Sequence, residues 1–76
     1  MYFQRLRDLR EDHELSQREL GKLLNIQQTV YSRYERGYQT IPVEHLIILA
    51  DFYNVSTDYI LDRTNDTAPY QPKKVK

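Results

Sequence analysis

A chain of 76 residues, with 39% apolar and 29% charged side chains and no cysteine, has room for one small domain. That excludes a multidomain enzyme, a disulfide scaffold and a cysteine zinc site. Eleven basic and eleven acidic groups cancel to zero formal charge, which by itself weighs against a polyanionic partner.

The longest apolar run, Leu46 to Ala50, is far short of the roughly 18 residues of a membrane span. Arg5, Arg7 and Asp8 follow the start at once, with no apolar leader. The expectation is a soluble, cytoplasmic protein that makes no membrane contact.

Phe3, Leu6 and Leu9, with Arg10 and His13, fall at helical spacing and predict a first helix over about residues 2–13. Glu14-Leu15 reads as a short link. Ser16-Gln17-Arg18-Glu19 reads as a capping box, in which the Ser16 hydroxyl and the Glu19 carboxylate each satisfy the other residue's N–H. Leu20, Leu23 and Leu24 continue a second helix that stops at Asn25, a residue tolerant of the left-handed conformation. After Ile26, Val30, Tyr31 and Tyr34 predict a third helix over Gln27 to Arg36, closed by Gly37.

Pro42 marks the start of a fourth helix. Leu46, Ile47, Leu49, Ala50 and Tyr53 give it a wide apolar stripe, so it is expected to be the central and most buried helix. Asn54 stops it, Val55 plugs the core, Ser56 caps, and Tyr59-Ile60-Leu61 make a short fifth helix. The expected fold is therefore all-α, with five helices in residues 1–62. Residues 63–76 form a basic tail ending in Lys73, Lys74 and Lys76, which reads as flexible. Two short helices joined by a tight turn are a helix-turn-helix pattern.

The neutral sum hides a polarised chain. Residues 17–40 hold Arg18, Lys22, Arg33 and Arg36 against Glu19 and Glu35, four bases to two acids. Residues 41–66 hold Arg63 against Glu44, Asp51, Asp58, Asp62 and Asp66, one base to five acids. The middle of the chain can face an anion while the second half faces away.

A set of fragments in fixed order carries a family resemblance. They are Leu9-Arg10, Leu15-Ser16-Gln17-Arg18-Glu19-Leu20, Ser32-Arg33-Tyr34-Glu35-Arg36-Gly37, Pro42, Leu46, Leu49-Ala50, Asn54-Val55-Ser56 and Tyr59-Ile60-Leu61. Together they resemble the phage Cro/repressor type of helix-turn-helix, the xenobiotic-response-element family of prokaryotic regulators. The likeness covers roughly residues 3–64. It implies a five-helix, lambda-repressor-like DNA-binding domain, usually a homodimer on palindromic operators. Three departures stand out: Asn25 and Asn54 occupy usual glycine positions, and Tyr31 occupies the place of a smaller aliphatic residue.

In such a motif the third helix lies in the major groove. With Val30, Tyr31 and Tyr34 inward, the outward set is Gln28, Thr29, Ser32, Arg33 and Arg36, with Gln27 at the entry. Gln can hold adenine, Arg can hold guanine, and a Thr methyl can meet thymine. The resemblance places Gln28, Thr29 and Arg33 at base-reading positions, with Gln27 and Ser32 beside them. It makes Gln17 a phosphate contact at the start of the second helix. Arg36, Tyr38 and Thr40, with the N–H groups of the 37–41 loop, are candidate phosphate contacts across the groove. The resemblance also implies a partly buried salt bridge between Arg10 and Glu35, a structural pair and not a ligand.

Catalysis finds little support. His13 and His45 have no metal-ligand partners in register, and Gly21 and Gly37 make no phosphate loop. No cofactor is expected. The function expected is sequence-specific binding of double-stranded DNA by a transcriptional regulator, most simply a repressor. Antitoxins and other partner-binding proteins on the same fold are the alternative, with the tail and Tyr70 as the segment that would hold a protein. Tyr59, Leu61 and the tail are the expected dimer surface.

Overall fold

The computed structural model describes residues 2–69. Five helices follow in chain order: α1 Gln4–Asp12, α2 Gln17–Leu24, α3 Gln28–Arg36, α4 Val43–Tyr53 and α5 Thr57–Ile60. No strand occurs among the described residues. Tyr70, Lys73, Lys74 and Lys76, expected to serve a partner, lie outside them.

Local chemistry accounts for most of the boundaries. Ser16 Oγ accepts from Glu19 N at 3.1 Å, and Ser16 N donates to Glu19 Oε1 at 3.2 Å, so both donors at the α2 entry are satisfied. Ser56 opens α5 by accepting from Tyr59 N at 3.0 Å. Pro42 sits one position earlier than expected: its backbone is extended, its carbonyl accepts from Leu46 N at 3.0 Å, and Val43 is the first helical residue.

All five helices stop by one device. A residue in the left-handed conformation follows each, namely Glu14, Asn25, Gly37, Asn54 and Asp62. The next N–H then reaches back five residues, as in Ile26 N to Gly21 O at 2.9 Å and Val55 N to Ala50 O at 2.9 Å. Only one of the five positions is glycine.

The core joins Leu6 and Leu9 of α1, Leu20 and Leu24 of α2, Tyr31 and Tyr34 of α3, Ile41 of the loop, and Leu46, Leu49, Ala50 and Tyr53 of α4. Val55 and Ile60 close it from below. Gly21 lets α2 sit against the start of α3. A Cβ there would stand 3.0 Å from the Ile26 carbonyl oxygen and 3.4 Å from Gln28 N.

α4, expected to be the central and most buried helix, gives the core four buried residues, more than any other helix, yet it keeps an exposed apolar side. Val43, Ile47, Ile48 and Phe52 are exposed, Ile47 by 49%. One face of α4 meets the core, and the other four short helices supply no second layer to cover its outer face.

Arg5 fastens the chain beyond α5. Its guanidinium donates to Tyr59 O at 2.8 Å, Thr64 O at 2.5 Å and Asn65 Oδ1 at 2.7 Å, and meets Asp62 at 3.3 Å. It also lies over the Tyr59 ring, 4.0 Å from the centroid. These bonds reach Thr64 and Asn65, inside the stretch from residue 63 that was expected to be tail. Tyr59, expected on a dimer surface, is half-buried, with this arginine over one face of its ring.

Candidate nucleic-acid interface

At about 100° per residue, Gln28, Thr29, Ser32, Arg33 and Arg36 fall within an arc of roughly 140° of α3. Gln28, Thr29, Arg33 and Arg36 are exposed, Ser32 is half-buried, and Gln27 is exposed at the N-cap without capping through its side chain. The opposite side is anchored. Tyr31 is fully buried, Tyr34 is buried, and the Tyr34 hydroxyl meets His45 Nδ1 at 3.1 Å. The helix therefore presents one polar face while its aromatic face is locked into the core.

The electrostatics of that face are one-sided. Among the described residues, salt bridges engage Arg5, Arg7 and Arg10. Arg18, Lys22, Arg33 and Arg36 make none and are exposed. α3 itself carries no exposed acid, its one carboxylate, Glu35, being buried. Exposed acids lie on α1 (Asp8, Glu11, Asp12), on α2 (Glu19) and on α4 and the segment after α5 (Glu44, Asp51, Asp62).

Beside α3 lies a polar recess of about 430 Å³, lined by Tyr2, Arg7, Arg10, Gln17, Glu35, Arg36 and Tyr38. Arg36 stands over the Tyr38 ring at 4.9 Å from its centroid, with that tyrosine 75% exposed. Thr40 is exposed and does not line the recess. Three N–H groups expected to be open in the 37–41 loop are already used. Gly37 N donates to Tyr34 O, and Tyr38 N and Gln39 N both donate to Arg33 O. Arg7, one helical turn before Arg10, joins the recess and was not singled out from the sequence. Its signal there was the i, i+3 spacing of two arginines.

The floor of the recess is a buried ion pair. Arg10 Nε meets Glu35 Oε2 at 2.6 Å and Arg10 Nη2 meets Glu35 Oε1 at 3.2 Å, with side-chain exposures of 14% and 3%. Arg10 Nη1 also donates to Leu15 O at 2.9 Å. The hydrogen bond to Glu35 raises the Arg10 pKa further, against the opposing effect of burial. Gln17 is half-buried and its Nε2 donates to Glu35 Oε1 at 3.2 Å, an inward bond invisible in the sequence.

The charge of this carboxylate also acts on two buried tyrosines, Tyr31 and Tyr53. Burial first, and then the Glu35 charge, pushes the Tyr31 phenol well above its ordinary range and the Tyr53 phenol up to about 12. Neither hydroxyl makes a hydrogen bond of normal geometry.

The arrangement offers amide, hydroxyl and guanidinium groups on an exposed helix face, flanked by free cations. Among the described residues no cluster of His, Cys, Asp or Glu could hold a metal ion, and no helix is long and apolar enough to cross a membrane.

Comparison with known proteins agrees with this geometry. A helix-turn-helix family model matches residues 6–60. The chain is 42% identical over 74 residues to the uncharacterized HTH-type transcriptional regulator YobD of Bacillus subtilis (strain 168), covering 97% of this chain and 66% of that protein. It is 39% identical over 59 residues to the HTH-type transcriptional regulator ImmR of the same organism, covering 78% and 46%. It is 34% identical over 55 residues to the cryptic phage CTXphi transcriptional repressor RstR of Vibrio cholerae, covering 72% and 50%. The chain spans between about half and two thirds of the length of these curated relatives. No solved structure matches it significantly.

Proposed function

The chain belongs to the helix-turn-helix family, and from that membership we propose that it is a DNA-binding transcriptional regulator, most simply a repressor. The proposal sets α3 in the major groove of double-stranded DNA, with Gln28, Thr29 and Arg33 reading base edges and Gln27 and Ser32 beside them. Gln17, Arg36, Tyr38 and Thr40 take phosphate contacts on the flanks, where they fix register and carry no sequence information. A homodimer on a palindrome with half-sites about one helical turn apart completes the reading.

The observation that supports it best is the contrast between the two sides of α3. One side is an exposed run of amide, hydroxyl and guanidinium groups with unpaired cations, and the other is an aromatic anchor. A solvated helix face could show the same polarity. What adds to it here is that both exposed arginines of the face, Arg33 and Arg36, are free of salt bridges, and that Arg36 lines the adjoining polar recess with Gln17.

The neutral net charge is no obstacle, because the acids lie chiefly on other elements. Titration of a labelled duplex at several salt concentrations tests the reading. A DNA binder loses affinity linearly in log salt, by close to one unit of slope per phosphate neutralised. A folded chain with no measurable affinity at low salt would overturn it.

A further inference from the structure

Glu35 is an acid in a place that disfavours one. Its side chain is 3% exposed, and it lines the same recess as Gln17 and Arg36. An anion beside a phosphate raises the energy of the complex unless it is neutralised. Arg10 neutralises it through bonds to both carboxylate oxygens, at 2.6 and 3.2 Å, and is itself held by Leu15 O at 2.9 Å. The pair brings little net charge to the recess, yet two ions are taken out of water to form it.

Beyond pairing with Arg10, the carboxylate accepts from Gln17 Nε2 at 3.2 Å. A carboxylate of this kind accepts only, so the nitrogen end of the amide has to face it. Both oxygens are already committed to Arg10, so the acceptor is fixed in space. A glutamine free in solvent would sample many rotamers and both amide faces. Gln17 instead has one N–H committed and one left over, on a side chain that lines the cationic recess.

We infer that Glu35 is a positioning residue for DNA: anchored by Arg10, it orients the Gln17 amide so that its second N–H meets a phosphate oxygen in the recess. The inference rests on the reading of Gln17 as a phosphate contact. It separates from a purely structural role because its effect on DNA passes through Gln17.

The test is a double-mutant cycle on affinity for a labelled duplex enriched from a random library. The paired substitution R10M with E35L removes one charge of each sign and leaves net charge unchanged. Replacing a buried ion pair by apolar side chains in this way is often neutral or stabilising. Circular dichroism and a melting curve establish the fold before DNA is added.

The expected result is about tenfold weaker binding in the paired variant and in Gln17→Ala. Combining them gives little loss beyond Gln17→Ala alone, since groups acting as one unit are not additive. A second cycle with E35D keeps the charge and the Arg10 partner but withdraws the acceptor by one methylene. It keeps the inference testable even where the apolar pair fails to fold, and it must show the same non-additivity.

Losses that add in a folded cycle would overturn the positioning role and leave Gln17 a phosphate contact. Unchanged affinity in Gln17→Ala would overturn the phosphate reading and the inference together. A folded wild-type chain that binds no duplex would remove both.

Discussion

Replacing Glu35 by glutamine removes one partner of the buried ion pair and keeps the side-chain shape. Arg10 then retains the Leu15 carbonyl at 2.9 Å but loses its counter-charge. Breaking a buried pair from one side typically costs about 3–5 kcal/mol, because the remaining charge is stranded. The Arg10 side chain is 14% exposed, so some water still reaches it and the lower end, about 3 kcal/mol, applies.

In a domain of this size about 1 kcal/mol moves the melting temperature by roughly 4–8 °C. The expected drop is therefore roughly 12–24 °C, read by far-ultraviolet circular dichroism. A second melt of the R10M and E35L paired variant should return close to wild type. A shift below about 4 °C for Glu35→Gln would show that the pair is not desolvated in the sense argued, and the reasoning would fail.

Arg33→Ala or Gln28→Ala should each cost about 1–3 kcal/mol on the preferred site and relax preference at one base pair. A uniform loss across sequences would mark them as phosphate contacts instead. Arg36→Ala should weaken binding similarly on all sequences and reduce the log–log salt slope by about one unit; an unchanged slope removes it from the interface.

Gly21→Val places two methyl groups where a single Cβ already stands 3.0 Å from the Ile26 carbonyl oxygen. It should lower stability by about 1–3 kcal/mol through overpacking, measured by urea unfolding, and an unaltered midpoint would show that the α2–α3 approach has slack. Tyr53 is held protonated in the folded chain, with its pKa raised from the ordinary 10.0 to about 12. Its contribution to stability is full below the unfolded value, falls as pH rises from about 10 to about 12, and is gone above that. Alkaline unfolding should begin in that window and weaken in Tyr53→Phe, and a stability curve flat to pH 12 would contradict the burial argument.

The sequence disclosed what is local. Ser16 and Glu19 announce the α2 cap, and Asn25, Gly37 and Asn54 announce helix ends, because each acts on its own backbone within a few residues. Glu14 and Asp62 adopt the same left-handed backbone, but neither belongs to the Gly/Asn types that advertise it. Their conformation is set by how α1 and the segment after α5 pack.

Arg5 is the clearest long-range case. Its hydrogen-bond partners lie 54 to 60 residues away, and no spacing rule reaches that far. The apolar run Leu46 to Ala50 pointed to α4 as the most buried helix, and its four core residues agree. A chain this short cannot wrap a helix completely, so Ile47 and Ile48 stay exposed. At the candidate interface, periodicity was enough to sort inward from outward residues on α3. It could not show that Gln17 turns inward to Glu35 or that the 37–41 loop has spent its first N–H groups on α3 carbonyls.

The central claim, that α3 reads DNA as one half of a symmetric pair, is tested most directly by selecting duplexes from a random library with the purified chain. The account predicts an enriched palindrome with half-sites about one helical turn apart, whose outer bases change when Gln28 or Arg33 is substituted. A folded chain that enriches no sequence at low salt would contradict it.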